Sequence, residues 1–175
     1  MRRRRPLVAL AAGIALLALL SGCSLALPRP NARADDRSGL PSLSVRGHRI
    51  EPFEVVYRVG DKTRRPAREH AEPPTIELRQ THRLRMRVVS GYPAEDLRVG
   101  TFSSADARGE PVDGGDQFDC LGGTGCMIET RAGSVHVSVP ITPSVRLVIV
   151  RERFELSRGA TLEVVWRFRT AAAGD

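Results

Sequence analysis

Three cysteines carry the clearest chemistry in this 175-residue chain. Cys120 and Cys126 enclose Leu121, Gly122, Gly123, Thr124 and Gly125, a flexible turn that lets two sulfurs meet, and a local disulfide is the expected outcome. A redox-active pair fits less well, because the spacing is not the two-residue one that lowers a thiol pKa at a helix N-terminus. Cys23 stands apart, at the end of an apolar run. Carboxylates gather between Ser103 and Gly125, where Asp106, Glu110, Asp113, Asp116 and Asp119 face Arg108 alone. Asp113, Asp116 and Asp119 recur at intervals of three and offer calcium its preferred oxygen ligands, so calcium or small-ligand binding through loop 103–125 is the second functional expectation. The spacing differs from an EF-hand loop, and solvated turn carboxylates are the plainer reading. Gly122 to Gly125 is not a phosphate loop, since no lysine with serine or threonine follows.

Catalytic constellations are missing from the string. There is no HExxH or GxSxG, and His48, His70, His82 and His136 lack ligand spacing. The expectation is a non-enzyme without a cofactor, with an envelope enzyme as the remaining alternative. The cations are nearly all arginine, with Lys62 the single lysine. Arg83, Arg85 and Arg87 alternate with Leu84, Met86 and Val88, so a strand there projects a basic stripe toward lipid headgroups, an anionic polysaccharide or an acidic partner. The plainer expectation is a solvated sheet face, with Glu77 or Glu163 as candidate cross-strand partners. Lys62, Arg64, Arg65 and Arg68 read as a basic loop bounded by Gly60 and Pro73.

The N-terminal segment decides where these residues work. Arg2 to Arg5 form a cationic start, and Leu7 to Leu20 is an apolar run without charge, shorter than the ~20 residues that span a bilayer. Leu20, Ser21, Gly22 and Cys23 then resemble the lipobox of bacterial lipoproteins. That resemblance covers residues 1–23 only. It implies cleavage after Gly22, a diacylglyceryl group on the Cys23 thiol and an acylated new N-terminus, with palmitate among the acyl chains. Two or more chains make anchoring stable where one is marginal. The resemblance therefore implies an extracytoplasmic protein held to a bacterial membrane, and Ser24, in place of aspartate, matches outer-membrane sorting in a Gram-negative host.

The elements that must position the remaining residues follow from periodicity. Residues 23–42 hold Pro28, Pro30 and Pro41 without apolar periodicity and read as a lipidated N-terminus with a flexible linker. From Leu43 the pattern turns to period two, clearest at Leu84–Val88, Val135–Val139 and Leu162–Phe168. Further strands are expected at Phe53 to Val59, Ile76 to Arg79, Leu97 to Phe102, Met127 to Glu129 and Val145 to Phe154. No segment after the signal sustains a helical period. The organisation is thus a signal at 1–22, a tether at 23–42, an all-β domain at 43–170 and a disordered tail at 171–175.

Seven or eight short strands separated by Gly, Pro, Asp and Ser clusters argue for an antiparallel β-sandwich. From Pro74 the order resembles an immunoglobulin-like domain, closing on a hairpin from Val145 to Thr170. The inter-sheet disulfide and tryptophan of that fold have no counterpart here, and a transthyretin-like sandwich or small barrel matches the string as well. The segment Ser103 to Gly125 is then a functional or mobile loop, or hides a short edge strand.

Charge sharpens the picture of the mature chain. The formal +7 includes Arg2 to Arg5, which leave with the signal; the mature chain keeps 23 basic against 20 acidic residues, or +3. The basic stripe holds no aromatic residues to stack on bases, and an exported protein rarely meets nucleic acid, so nucleic acid is not an expected partner. The expected function is a lipid-anchored binding or structural module in a cell-envelope assembly, with the membrane and an envelope protein as partners.

Overall fold

The computed structural model describes residues 39–66, 72–78, 82–123, 125–131, 133–157 and 159–172. The signal, Cys23, most of the tether, Arg68 and His70 lie outside the described residues. Twelve strands are described: β1 (Ser42–Val45), β2 (His48–Ile50), β3 (Glu54–Val59), β4 (Lys62–Arg64), β5 (Thr75–Leu78), β6 (Arg83–Val89), β7 (Ala94–Phe102), β8 (Asp116–Asp119), β9 (Met127–Arg131), β10 (Ser134–Pro140), β11 (Leu147–Ser157) and β12 (Ala160–Ala172). They form two packed sheets. The first has the order β2-β1-β6-β10-β9; the second has β4-β3-β12-β11-β7-β8, with β5 also on β12. Every pairing is antiparallel except β5 with β12. The fold is an antiparallel β-sandwich.

Period two explains the layers. In β6, Leu84, Met86 and Val88 are buried while Arg85 and Arg87 are exposed. In β12, Leu162, Val164, Trp166 and Phe168 fill the inner face, and Trp166, Phe154 and Phe168 are the largest fully buried side chains. Each large apolar side chain removed from water contributes about 1.5–3 kcal/mol, an upper estimate because unfolded chains already bury part of it. The first hairpin turns at Arg46 and Gly47, both at positive φ (51° and 83°), the pattern of a two-residue turn that matches strand twist.

The differences from expectation sit at the edges. Lys62–Arg64 is not loop but β4, paired with Val59, Arg58 and Tyr57; its three residues are all exposed, so no apolar alternation announced it. The acidic segment does hide an edge strand, β8, whose Phe118 stands opposite Val99. β7 begins at Ala94, ahead of the strand expected from Leu97, and β1 begins at Ser42. β12 runs to Ala172 because β5 pairs with its residues Arg169 to Ala172.

Candidate functional site

Two places stand out, one on a sheet face and one between the sheets. The first is the outer face of the first sheet. Cross-strand registry places Arg87 between Ser44 and His136, and Arg85 beside Ser138. Arg83 is half-buried and tied down, its Nε donating to Ser138 Oγ at 3.0 Å and its Nη2 to the Ser138 carbonyl at 2.7 Å. Among the described residues the side chains of Arg85 and Arg87 make no hydrogen bond or ion pair. The expected neutralising partners belong to the other sheet: Glu163 on β12 pairs with Arg58 at 2.7 Å and Arg151 at 3.4 Å, and Glu77 on β5 stands opposite Ala171. Met127, opposite Ser138 on β9, adds an exposed apolar side chain to this face.

The second place is a cavity of about 250 Å³ at one end of the sandwich. Its walls come from both sheets. Val88, Val135 and Thr130 form one cross-strand row of the first sheet, while Ala94 and Glu152 belong to the second. The rim is made by Ser90, Tyr92 and Pro93 of the β6–β7 connection, by Gly133 and Ser134 at the β9–β10 turn, and by Leu121. Leu121 is placed there by the Cys120–Cys126 disulfide, which forms as expected with its Cα atoms 5.1 Å apart. Cys120 itself is buried, and its N–H donates to the Leu97 carbonyl at 2.8 Å, so the turn is fastened to β7.

Glu152 is the unusual residue in this cavity. It occupies an inward position of β11 between Val150 and Phe154, flanked across the sheet by Leu97 and Val164, and is 1% exposed. Neither carboxylate oxygen has a hydrogen-bond partner. Burial without compensation pushes its pKa up to about 8, because a desolvated carboxylate is costlier than the neutral acid. Tyr92 at the rim is also raised, first by burial and then by Tyr57. No motif or ligand spacing in the sequence singles out Glu152. A weaker signal is there all the same: Val148, Val150 and Phe154 mark an inward stripe in which position 152 is a carboxyl.

In the acidic segment the carboxylates are engaged separately, each with its own neighbours. Asp113 accepts from the Ser103 N–H at 2.9 Å and from its hydroxyl, and these bonds hold its pKa below the usual carboxylate value. Asp119 accepts from the Gly122 N–H at 2.9 Å, and Asp116 stands exposed opposite Thr101. The three are not brought together, and among the described residues no group of three His, Cys, Asp or Glu side chains is placed to hold a metal. Asp106 instead caps its own turn, accepting from the N–H groups of Arg108 and Glu110. Arg167 and Arg169 then clasp this turn to β12: Arg167 pairs with Glu110, and Arg169 donates to the Asp106 carbonyl at 2.6 Å.

Of the histidines, His48 and His82 are exposed, and His136 is half-buried with Nε2 3.5 Å from Ser134 Oγ. Comparison of the chain with protein-family models, curated proteins and solved structures gives no match.

Proposed function

We propose that this chain is a lipid-anchored protein of the bacterial cell envelope, tethered through Cys23 outside the cytoplasm, whose sandwich acts as a non-catalytic binding module. In a Gram-negative host its membrane is the outer one. Its docking face is the outer surface of the first sheet, and its partner is an acidic surface of another envelope protein. One observation carries the reading: the Arg85 and Arg87 side chains are exposed and unpaired among the described residues, whereas on the second sheet Arg58, Arg98, Arg151, Arg153 and Arg167 are paired with carboxylates and the exposed Lys62 and Arg64 lie on the short edge strand β4 rather than on the open sheet face. Complementary charge on a partner steers association and sets register. β1 of the same sheet begins at Ser42, where the expected tether ends.

The test is site-specific photo-crosslinking in intact cells. A crosslinker at position 85 or 87 is expected to capture one envelope protein, and a crosslinker at Arg151 on the opposite sheet is expected to miss it. The double change Arg85→Glu, Arg87→Glu should abolish capture from a neighbouring position such as Ser138 without changing Tm. Equal capture from both faces, or capture that survives the charge reversal, would overturn the reading.

A further inference from the structure

Glu152 poses a problem that the docking face does not explain. An inward position on a central strand normally takes hydrocarbon, and a buried carboxyl without a partner costs folding free energy that an apolar residue of similar volume would not. The groups around it offer no relief. Along the strand its inward neighbours are Val150 and Phe154; across the sheet they are Leu97 and Val164; from the facing sheet Val88 and Val135 line the same space. Tyr92 is the only other titratable residue lining the cavity, and no Lys, Arg or His lines it among the described residues. Any counter-charge for this carboxylate therefore has to arrive with an occupant.

We propose that the cavity is a binding site for a small organic amine, whose ammonium pairs with Glu152 and whose hydrocarbon body packs against Val88, Val135, Ala94 and Leu121. The shape and the chemistry agree. A cavity of about 250 Å³ lies just below the usual range for ligand pockets, which restricts the occupant to a few carbons around one charged group. An anionic ligand brings no counter-charge for an ionised Glu152, and a purely apolar one leaves both carboxyl oxygens unsatisfied. A protonated amine donates up to three hydrogen bonds and neutralises the charge in one step. With its pKa pushed up to about 8 by burial, Glu152 is largely protonated in the empty protein at neutral pH, so uptake of an ammonium releases that proton to solvent and leaves a paired carboxylate. The Cys120–Cys126 turn takes part by seating Leu121 at the mouth, which gives the disulfide a role beyond the stability of its own short loop.

The experiment is titration calorimetry on the full chain in detergent, against a detergent blank, with cyclopentylamine and the isosteric cyclopentanol as probes. The amine is expected to bind at least about tenfold more tightly than the alcohol, since only the amine forms a charge-assisted pair. Its heat should depend on buffer ionisation as one released proton requires. Glu152→Gln should lose at least about tenfold of the amine affinity and the proton release together, while keeping the alcohol affinity. Val135→Phe, which leaves the carboxyl in place and fills the cavity, should block both probes. Equal affinity for amine and alcohol, full amine affinity in Glu152→Gln, undiminished amine binding in Val135→Phe, or no amine binding up to about 10 mM would each overturn the proposal.

Discussion

The guanidinium of Arg167 lies 3.9 Å from the centre of the Phe53 ring, and the same group pairs with Glu110 and donates to the Gly109 carbonyl. One side chain thus joins the β2–β3 connection, β12 and the acidic turn on the outer face of the second sheet. Arg167 is only 12% exposed, so its charge pairing is less screened than a surface ion pair. Arg167→Ala is expected to cost about 1–2 kcal/mol and to release the turn. Denaturant unfolding gives the first quantity, and hydrogen exchange at the Gly109 amide gives the second. Unchanged exchange there would mean that the turn is held by Arg169 and its own Asp106 cap.

The loop also rests on a ring. A Cβ on Gly115 would stand 2.4 Å from Phe102 Cδ1 and 2.5 Å from the Thr101 carbonyl, and its φ is +50°. Gly115→Ala should therefore cost more than about 2 kcal/mol, through overpacking added to backbone strain. Gly47→Ala is the control, since φ is +83° there but nothing lies within 4 Å, and only the strain of about 1 kcal/mol applies. Two unfolding curves decide the comparison. Equal losses would show that the close approach to Phe102 relaxes at no cost.

Glu152 makes stability depend on pH in a known direction. Its pKa is raised from the usual 4.5 to about 8. Between those values the folded chain keeps a proton that the unfolded chain has released, so this residue's contribution falls as pH rises through the window and levels off above about 8. The slope it adds is at most about 1.4 kcal/mol per pH unit. Glu152→Gln removes that slope, and its Tm advantage over the parent chain should grow steadily from pH 5 to pH 8. A difference that is flat with pH would show that the carboxyl is hydrated in the folded protein.

The disulfide closes a short ring, and chain entropy limits its contribution to roughly 2 kcal/mol. Replacing Cys120 and Cys126 together by serine should cost that amount plus the burial of a polar hydroxyl at position 120, which is 3% exposed. Cys126→Ser alone, with Cys120 left as a buried thiol, should cost less than the double change. Chemical denaturation of the two variants separates the effects, and equal losses would remove the burial contribution.

Cys23 is expected to carry the anchor, and Cys23→Ser should abolish incorporation of labelled palmitate and move the protein from the membrane fraction to the soluble one. The two-chain arithmetic makes this change complete rather than partial. Labelling that persists in the Cys23→Ser chain would sink the assignment.

Much of the fold is legible in local alternation. Leu84, Met86 and Val88 against Arg83, Arg85 and Arg87 define one strand and both of its faces, and the same alternation marks β10 and β12. The short edge strands are harder to read. Lys62–Arg64 and Asp116–Asp119 have at most one apolar residue each, so their pairing depends on β3 and β7 rather than on their own pattern. Glu152 is visible as a carboxyl in an inward slot, yet only the meeting of two sheets turns that slot into the wall of a cavity.

By itself, the sequence determined the local disulfide and the two-faced strands, because each depends on residues near one another in the chain. The tertiary structure decided which charges are satisfied. Glu110 meets an arginine 57 residues away, while Arg85 and Arg87, beside strands that bring them serine and histidine, meet no carboxylate among the described residues. Pairing of that kind is a property of sheet order and register, which short-range periodicity does not encode.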